Sequence, residues 1–170
     1  MKKDRLIKEF YNLKVKDLMD HRYWDLPVVE KDTDIATVLS ILSGKNHVWV
    51  VDNKKNRRLV GVITEHDTLS LLSPPHLPPY MFGKPDLKSL QFGVVSKAED
   101  IMSEKPITCK ADERIYDVLL RMKKYRIRRI AVVDDDGKLI GEITLHHLIC
   151  KYYKASQYYS ITEADTDKKK

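Results

Sequence analysis

The pattern that most restricts the folds open to this chain is that its core is written twice. Val15-Lys16-Asp17-Leu18-Met19 recurs as Ala98-Glu99-Asp100-Ile101-Met102. Asp32-Thr33-Asp34-Ile35 opens a helical stripe at Ile35, Val38, Leu39 and Leu42; its counterpart begins at Asp112, with Ile115, Val118, Leu119 and Met122. Both stripes follow the spacing of one helix face, behind a residue type that favours the N-cap. Val48-Trp49-Val50-Val51-Asp52 matches Ile130-Ala131-Val132-Val133-Asp134, each a run suited to a buried strand. Leu59-Val60-Gly61-Val62-Ile63-Thr64 matches Leu139-Ile140-Gly141-Glu142-Ile143-Thr144, and short helices are expected at about 66–72 and 146–154. Asp135-Asp136-Gly137 is a hairpin signal, whereas the equivalent turn from Asn53 to Arg58 is longer and polar.

Each copy thus reads strand, helix, strand, strand, helix. A small sheet covered on one face leaves the other open, so neither copy is expected to be stable alone. The expected fold class is α/β of the α+β kind, two β-α-β-β-α repeats packed through their sheets about a pseudo-twofold axis. The boundaries are an N-terminal segment 1–14, repeats over 15–72 and 98–154, a connector 73–97 and a polar tail 155–170. The connector holds five of the seven prolines, which exclude regular helix from its first half. It also carries Tyr80, Met81, Phe82, Leu87, Leu90 and Phe92, so it is expected to pack on the surface or at a subunit interface.

Composition narrows the function classes. No apolar run reaches the roughly 20 residues of a membrane span, and Met1-Lys2-Lys3-Asp4 lacks the apolar stretch of a secretory signal. The two cysteines, Cys109 and Cys150, stand alone in apolar segments and are expected to fill core, which favours a reducing, cytoplasmic setting. The net charge of +6 includes the terminal Lys168, Lys169 and Lys170 and a denser cluster: Arg121, Lys123, Lys124, Arg126, Arg128 and Arg129. No P-loop, paired catalytic carboxylates or nucleophile–base spacing appears, and adjacent His146 and His147 diverge on a helix too far to chelate together. Neither enzymatic activity nor a bound metal is expected.

The segment after the third strand carries the most specific chemistry. Gly61-Val62-Ile63-Thr64-Glu65-His66-Asp67 has the form Gly-hydrophobic-x-Thr-x-x-Asp, and Gly141-Glu142-Ile143-Thr144-Leu145-His146-His147 repeats it with His for Asp. Thr64 at a helix entry offers a hydroxyl and nearby N–H groups to a phosphate, and Asp67 offers acceptors to ribose hydroxyls. Gly61 and its β-branched neighbours leave a slot for a flat base. The same Thr64 and Asp67 also suit a simple helix cap.

The two copies resemble CBS (cystathionine-β-synthase-type) repeats, as found in the nucleotide-sensing pairs of AMP-activated kinase gamma subunits and in archaeal stand-alone members. The resemblance covers about Val15 to Lys154. It implies a regulatory module that binds AMP, ADP or ATP, with S-adenosylmethionine as the other adenosine ligand, and that works as a homodimer on a separate effector protein. It implies a main cleft of Val62, Thr64, Asp67, Pro106, Ile107, Arg128 and Arg129, the two arginines holding phosphate. The second cleft would combine Pro27, His47, Thr144 and His147, with Leu26, Asn46 and Val48 beside them. Here His47 replaces an arginine, His147 an aspartate, and Glu142 adds negative charge, so this cleft is expected to be the weaker. Arg121, Lys123, Lys124 and Arg126 are read as a solvated helix face. The competing readings are a nucleic-acid-binding basic module, with Tyr152, Tyr153, Tyr158 and Tyr159 as stacking residues, and a ligand-free dimeric interaction module.

Overall fold

The computed structural model describes residues 2–72 and 95–167. The packing expected of the connector falls on residues 73–94, outside the described residues. The fold is mixed α+β with two small sheets, and the chain divides into two compact units.

One unit comprises residues 25–106 and 137–139. Its strands are β1 (Val28–Glu30), β2 (His47–Val51), β3 (Leu59–Thr64) and β4 (Ser103–Glu104), in that spatial order. β1 runs parallel to β2 because helix α2 (Ile35–Leu42) carries the chain back between them; β3 pairs antiparallel with β2 and with β4. α2 begins where expected, as Asp34 accepts hydrogen bonds from the Thr37 N–H at 2.9 Å and the Thr37 hydroxyl at 2.7 Å. Its apolar face buries Val38 against Val29, Val48, Val50 and Ile63. The four-residue helix α3 (Leu69–Leu72) ends the first described stretch.

The other unit comprises residues 1–24, 107–136 and 140–170. Its sheet is β5 (Thr108–Cys109), β6 (Arg129–Val133) and β7 (Leu139–Thr144), with β5 parallel to β6. Helix α4 (Ile115–Tyr125) buries Ile115, Val118 and Met122 on one stripe. Arg114, not Asp112, stands at its N-cap, with no side-chain cap; Asp112 instead accepts a hydrogen bond from Lys16 Nζ at 2.7 Å. At the other end Arg126 adopts the left-handed conformation, φ 54° and ψ 37°, while the Ile127 N–H closes back onto the Met122 carbonyl at 3.1 Å. Glycine is the usual residue at such a cap, and a Cβ there costs about 1–2 kcal/mol.

Two helices exceed the sequence expectation. Segment 1–14 contains α1 (Lys2–Asn12), whose Leu6 and Phe10 are buried; the Phe10 ring packs edge-on to Tyr152, 5.3 Å between centroids. The last helix, α5 (Leu145–Asp167), runs well past Lys154 into the stretch expected to be a tail. Cys109 is buried, but Cys150 is only half-buried on α5, with its Sγ 3.4 Å from His146 Nε2, so it is not a core residue.

The lead segment of each repeat packs in the unit built around the other repeat's sheet. Val15 and Met19 join the core with Cys109, Ile130, Val132 and Ile143, tied by hydrogen bonds from Val15 N to Glu113 O and from Asp20 N to Glu142 O, both 2.9 Å. Ala98 joins the core of Val29, Val38 and Ile63; the Ala98 N–H donates to Thr33 O at 2.8 Å and β4 follows directly. Both lead segments are one-turn 3-10 helices closed the same way, Asp17 accepting from the Lys14 N–H and Asp100 from the Lys97 N–H. Gly61 and Gly141 admit these segments. A Cβ on Gly61 would lie 2.5 Å from Met102 Sδ, and one on Gly141 would lie 2.5 Å from the Asp20 carbonyl oxygen. The expected slot over Gly61 is therefore filled by the Met102 side chain.

Candidate functional site

In the unit of residues 25–106, β3 delivers Thr64 to a tight turn. The Asp67 N–H donates to Thr64 O at 3.1 Å, while the Thr64 N–H and hydroxyl donate to Asp67 Oδ2 at 2.7 and 2.8 Å. The other carboxylate oxygen accepts from the Ser103 hydroxyl at 3.0 Å. Three hydrogen bonds thus orient a half-buried carboxylate. The Thr64 hydroxyl spends its only proton on Asp67, so a phosphate contact by Thr64 Oγ1 as donor would break that bond. Val62 is half-buried in β3 opposite Trp49 and Ser103. Pro106 is half-buried at the end of this unit's first stretch.

Two residues expected in the weaker cleft, Pro27 and His47, also belong to this unit. Pro27 is buried, and its carbonyl accepts from the Trp49 N–H at 2.8 Å. His47 pairs with Thr64 across β2 and β3, is 4% exposed, and stands edge-on to Trp49 at 5.3 Å. Its neighbours Leu26 and Val48 are buried and Asn46 is exposed.

The other unit holds the remaining candidates. Ile107 is half-buried against the core ahead of β5. Arg128 is exposed, with its backbone carbonyl accepting from the Leu145 N–H at 2.7 Å, and Arg129 opens β6, half-buried. Thr144 ends β7, and its turn mirrors the first with altered chemistry. The Thr144 N–H donates to His147 Nδ1 at 3.3 Å, and the His147 N–H donates to Thr144 Oγ1 at 3.2 Å. Asp20 lies nearby, its carboxylate gripped by Arg22 N, Nε and Nη2 at 2.9, 3.1 and 3.0 Å. These Arg22 bonds hold Asp20 below the usual carboxylate range, with His147 a minor contributor.

Sequence reasoning missed Ser103 and Asp20. They follow Met102 and Met19 directly, so the repeat alignment itself marked them as equivalent. Their role was hidden because it depends on each lead segment packing beside the other copy's turn. Cys109, by contrast, is inert: burial pushes its thiol up to about 12, with the Glu113 carboxylate adding to the effect. Among the described residues, no group of three or more His, Cys, Asp or Glu is arranged to hold a metal, and no helix is long and apolar enough to cross a membrane.

This fold, with its paired Gly-x-x-Thr turns, defines a known class. The family model of the CBS domain matches residues 15–74 and 98–153, and the chain belongs to that family. The chain is 30% identical over 152 residues to the uncharacterized protein MJ1426 of Methanocaldococcus jannaschii, covering 79% of this chain and 88% of that one. It is 28% identical over 141 residues to a homoserine O-acetyltransferase of Methanosphaera stadtmanae, a match that covers 83% of this chain but spans only 24% of the acetyltransferase. Among solved structures it is similar to CBSX2 in complex with AMP, at TM-score 0.67 and 27% identity, covering 84% of this chain and 98% of that one. The CBS pair of MJ0100, solved with 5′-methylthioadenosine and S-adenosyl-L-methionine, shares the fold at TM-score 0.60 and 24% identity, covering 82% and 99% of the two chains.

Proposed function

We propose that this chain is a non-catalytic regulatory module of the cytoplasm that binds an adenine nucleotide of the AMP, ADP or ATP class at one well-equipped site. The observation that carries the reading is Asp67, a half-buried carboxylate whose two oxygens are oriented by hydrogen bonds from Thr64 and Ser103. Such a group suits the vicinal hydroxyls of a ribose. Arg128 and Arg129 supply the phosphate contacts, since guanidinium stays charged and binds oxyanions in pairs of hydrogen bonds. Val62, Pro106 and Ile107 contact the base, and Thr64 acts mainly by fixing Asp67. The AMP bound to CBSX2, the more similar of the two structures, supports this ligand class. A ligand that favours one arrangement of the chain biases any partner that prefers that arrangement. The homodimer, the separate effector and the weaker role of Pro27, His47, Thr144 and His147 belong to the same proposal.

Thermal-shift titration with AMP, ADP, ATP, S-adenosylmethionine and a short oligonucleotide tests it. An adenosine compound at about 100 times its Kd should add about 2.7 kcal/mol to stability. Asp67→Ala and Arg129→Ala should each lose that gain. A flat response to every adenosine compound, beside salt-sensitive oligonucleotide binding, would overturn the reading in favour of a nucleic-acid module.

A further inference from the structure

The basic cluster divides once its partners are known. Arg121 pairs with Glu113 and hydrogen-bonds the Thr108 carbonyl at 2.9 Å, Arg114 pairs with Asp117 at 3.2 Å, and Lys110 reaches Asp135 at 3.4 Å. Lys123, Lys124, Arg126 and Arg128 are all exposed, and none has a carboxylate within ion-pair distance among the described residues. Lys123 and Lys124 in the last turn of α4 complement the helix dipole, and a solvated face accounts for them. It does not account for Arg126, which lies beyond the helix in a left-handed conformation that glycine would adopt without strain. Arg57 and Lys105 share that conformation, but Arg57, between the exposed Lys55 and Arg58, is itself half-buried, and Lys105 has no cation beside it, whereas Arg126 is exposed between the exposed Lys124 and Arg128. Its guanidinium is presented to solvent at a cost in backbone strain.

We infer that Lys123, Lys124 and Arg126, with Tyr125 among them, form a docking surface for a short acidic segment of a partner protein. Three cations within four residues make a compact spot that suits two or three neighbouring carboxylates. A nucleic-acid strand needs cations tracking successive phosphates and free aromatic faces for its bases. Here Lys124 Nζ lies 5.1 Å from the centre of the Tyr125 ring, over one of its faces. The surface uses neither Arg128 nor Arg129, the residues proposed for the nucleotide phosphate.

The test uses the full chain and a fluorescent octaglutamate peptide, with oligothymidylate of equal charge alongside. Peptide binding should weaken about tenfold in Arg126→Glu, as in loss of a charged contact at an interface, and should fall as salt rises. Lys45→Glu, an equal charge change at an exposed site on the other unit, should leave binding intact. Arg126→Gly supplies the second readout: Tm rises by about 2–4 °C as the strain is relieved, while peptide binding falls. Unchanged peptide affinity in Arg126→Gly would overturn the inference. So would equal losses in Arg126→Glu and Lys45→Glu, or tighter binding of oligothymidylate than of the peptide.

Discussion

The turn at Thr64 and the turn at Thr144 have the same course and exchanged chemistry. In the first, the carboxylate is on the turn itself, at Asp67, and the lead segment contributes the neutral Ser103. In the second, the lead segment contributes the carboxylate, Asp20, and the turn carries His147. The acid has moved from one side of the pair to the other. Both turns satisfy the threonine N–H, one with Oδ2 and one with Nδ1, so either residue closes the loop. They differ in the donors that reach the carboxylate: the Thr64 and Ser103 hydroxyls donate to Asp67, and the Arg22 guanidinium donates to Asp20. A backbone turn is thus preserved by geometry while its recognition chemistry changes by relocating one charge.

The sharpest test of this symmetry lies beneath the turns. Gly141→Ala would push a methyl onto the Asp20 backbone carbonyl, and Gly61→Ala would meet the flexible end of Met102. Overpacking against backbone should cost about 3 kcal/mol and lower Tm by about 6–12 °C; the Met102 contact should cost about 1 kcal/mol and about 2–4 °C. Equal losses in thermal melts would show that the two units receive their lead segments alike.

A smaller effect is a gain. Asp20→Ser with His147→Asp rebuilds in the second turn the Ser103–Asp67 pair of the first, and calorimetry should then detect a second nucleotide-binding event. His147→Asp alone should not produce it, because Asp20 would face the new carboxylate. Second-site binding in the unaltered protein equal to the first would erase the distinction.

The smallest effect is acid sensitivity. In one unit, the Thr37 hydroxyl and N–H hold Asp34 below the usual carboxylate range, and the Ser96 and Lys97 N–H groups do the same for Asp100. In the other, the cations Arg22 and Lys16 depress Asp20 and Asp112 through hydrogen bonds. A carboxylate depressed on folding contributes stability above its unfolded value, about 3.9, and loses it as pH falls through the folded value. Both units should therefore weaken below about pH 4. Hydrogen exchange at about 0.05 and 1 M salt should separate them, because the contribution of the cation-held pair is screened more than that of the carboxylates held mainly by hydroxyl and backbone N–H groups.

Much of this was legible in the chain. The repeated strands β2, β3, β6 and β7 were readable because buried central strands need unbroken β-branched runs, and Asp34 was readable as a cap because its bond is local. Less legible was whatever depended on a distant neighbour. Asp112 has the residue type of a cap, but Lys16, far away in the chain, takes it. The space over Gly61 reads as empty until Met102 enters it. α1 is masked by its lysines, since two buried residues, Leu6 and Phe10, suffice to anchor it.

The amino-acid order by itself determined the two repeats, the family, and the difference between Asp67 and His147, because each is set by local pattern or by residue identity. The tertiary structure alone decided which sheet each lead segment joins. A one-turn 3-10 helix with one or two buried side chains fits either sheet in isolation. Only the glycine in the facing strand, the backbone bonds from Val15 and Ala98, and the filled cores select the exchange. That selection places Ser103 on Asp67 and Asp20 near His147, and so turns two similar sequences into two different sites.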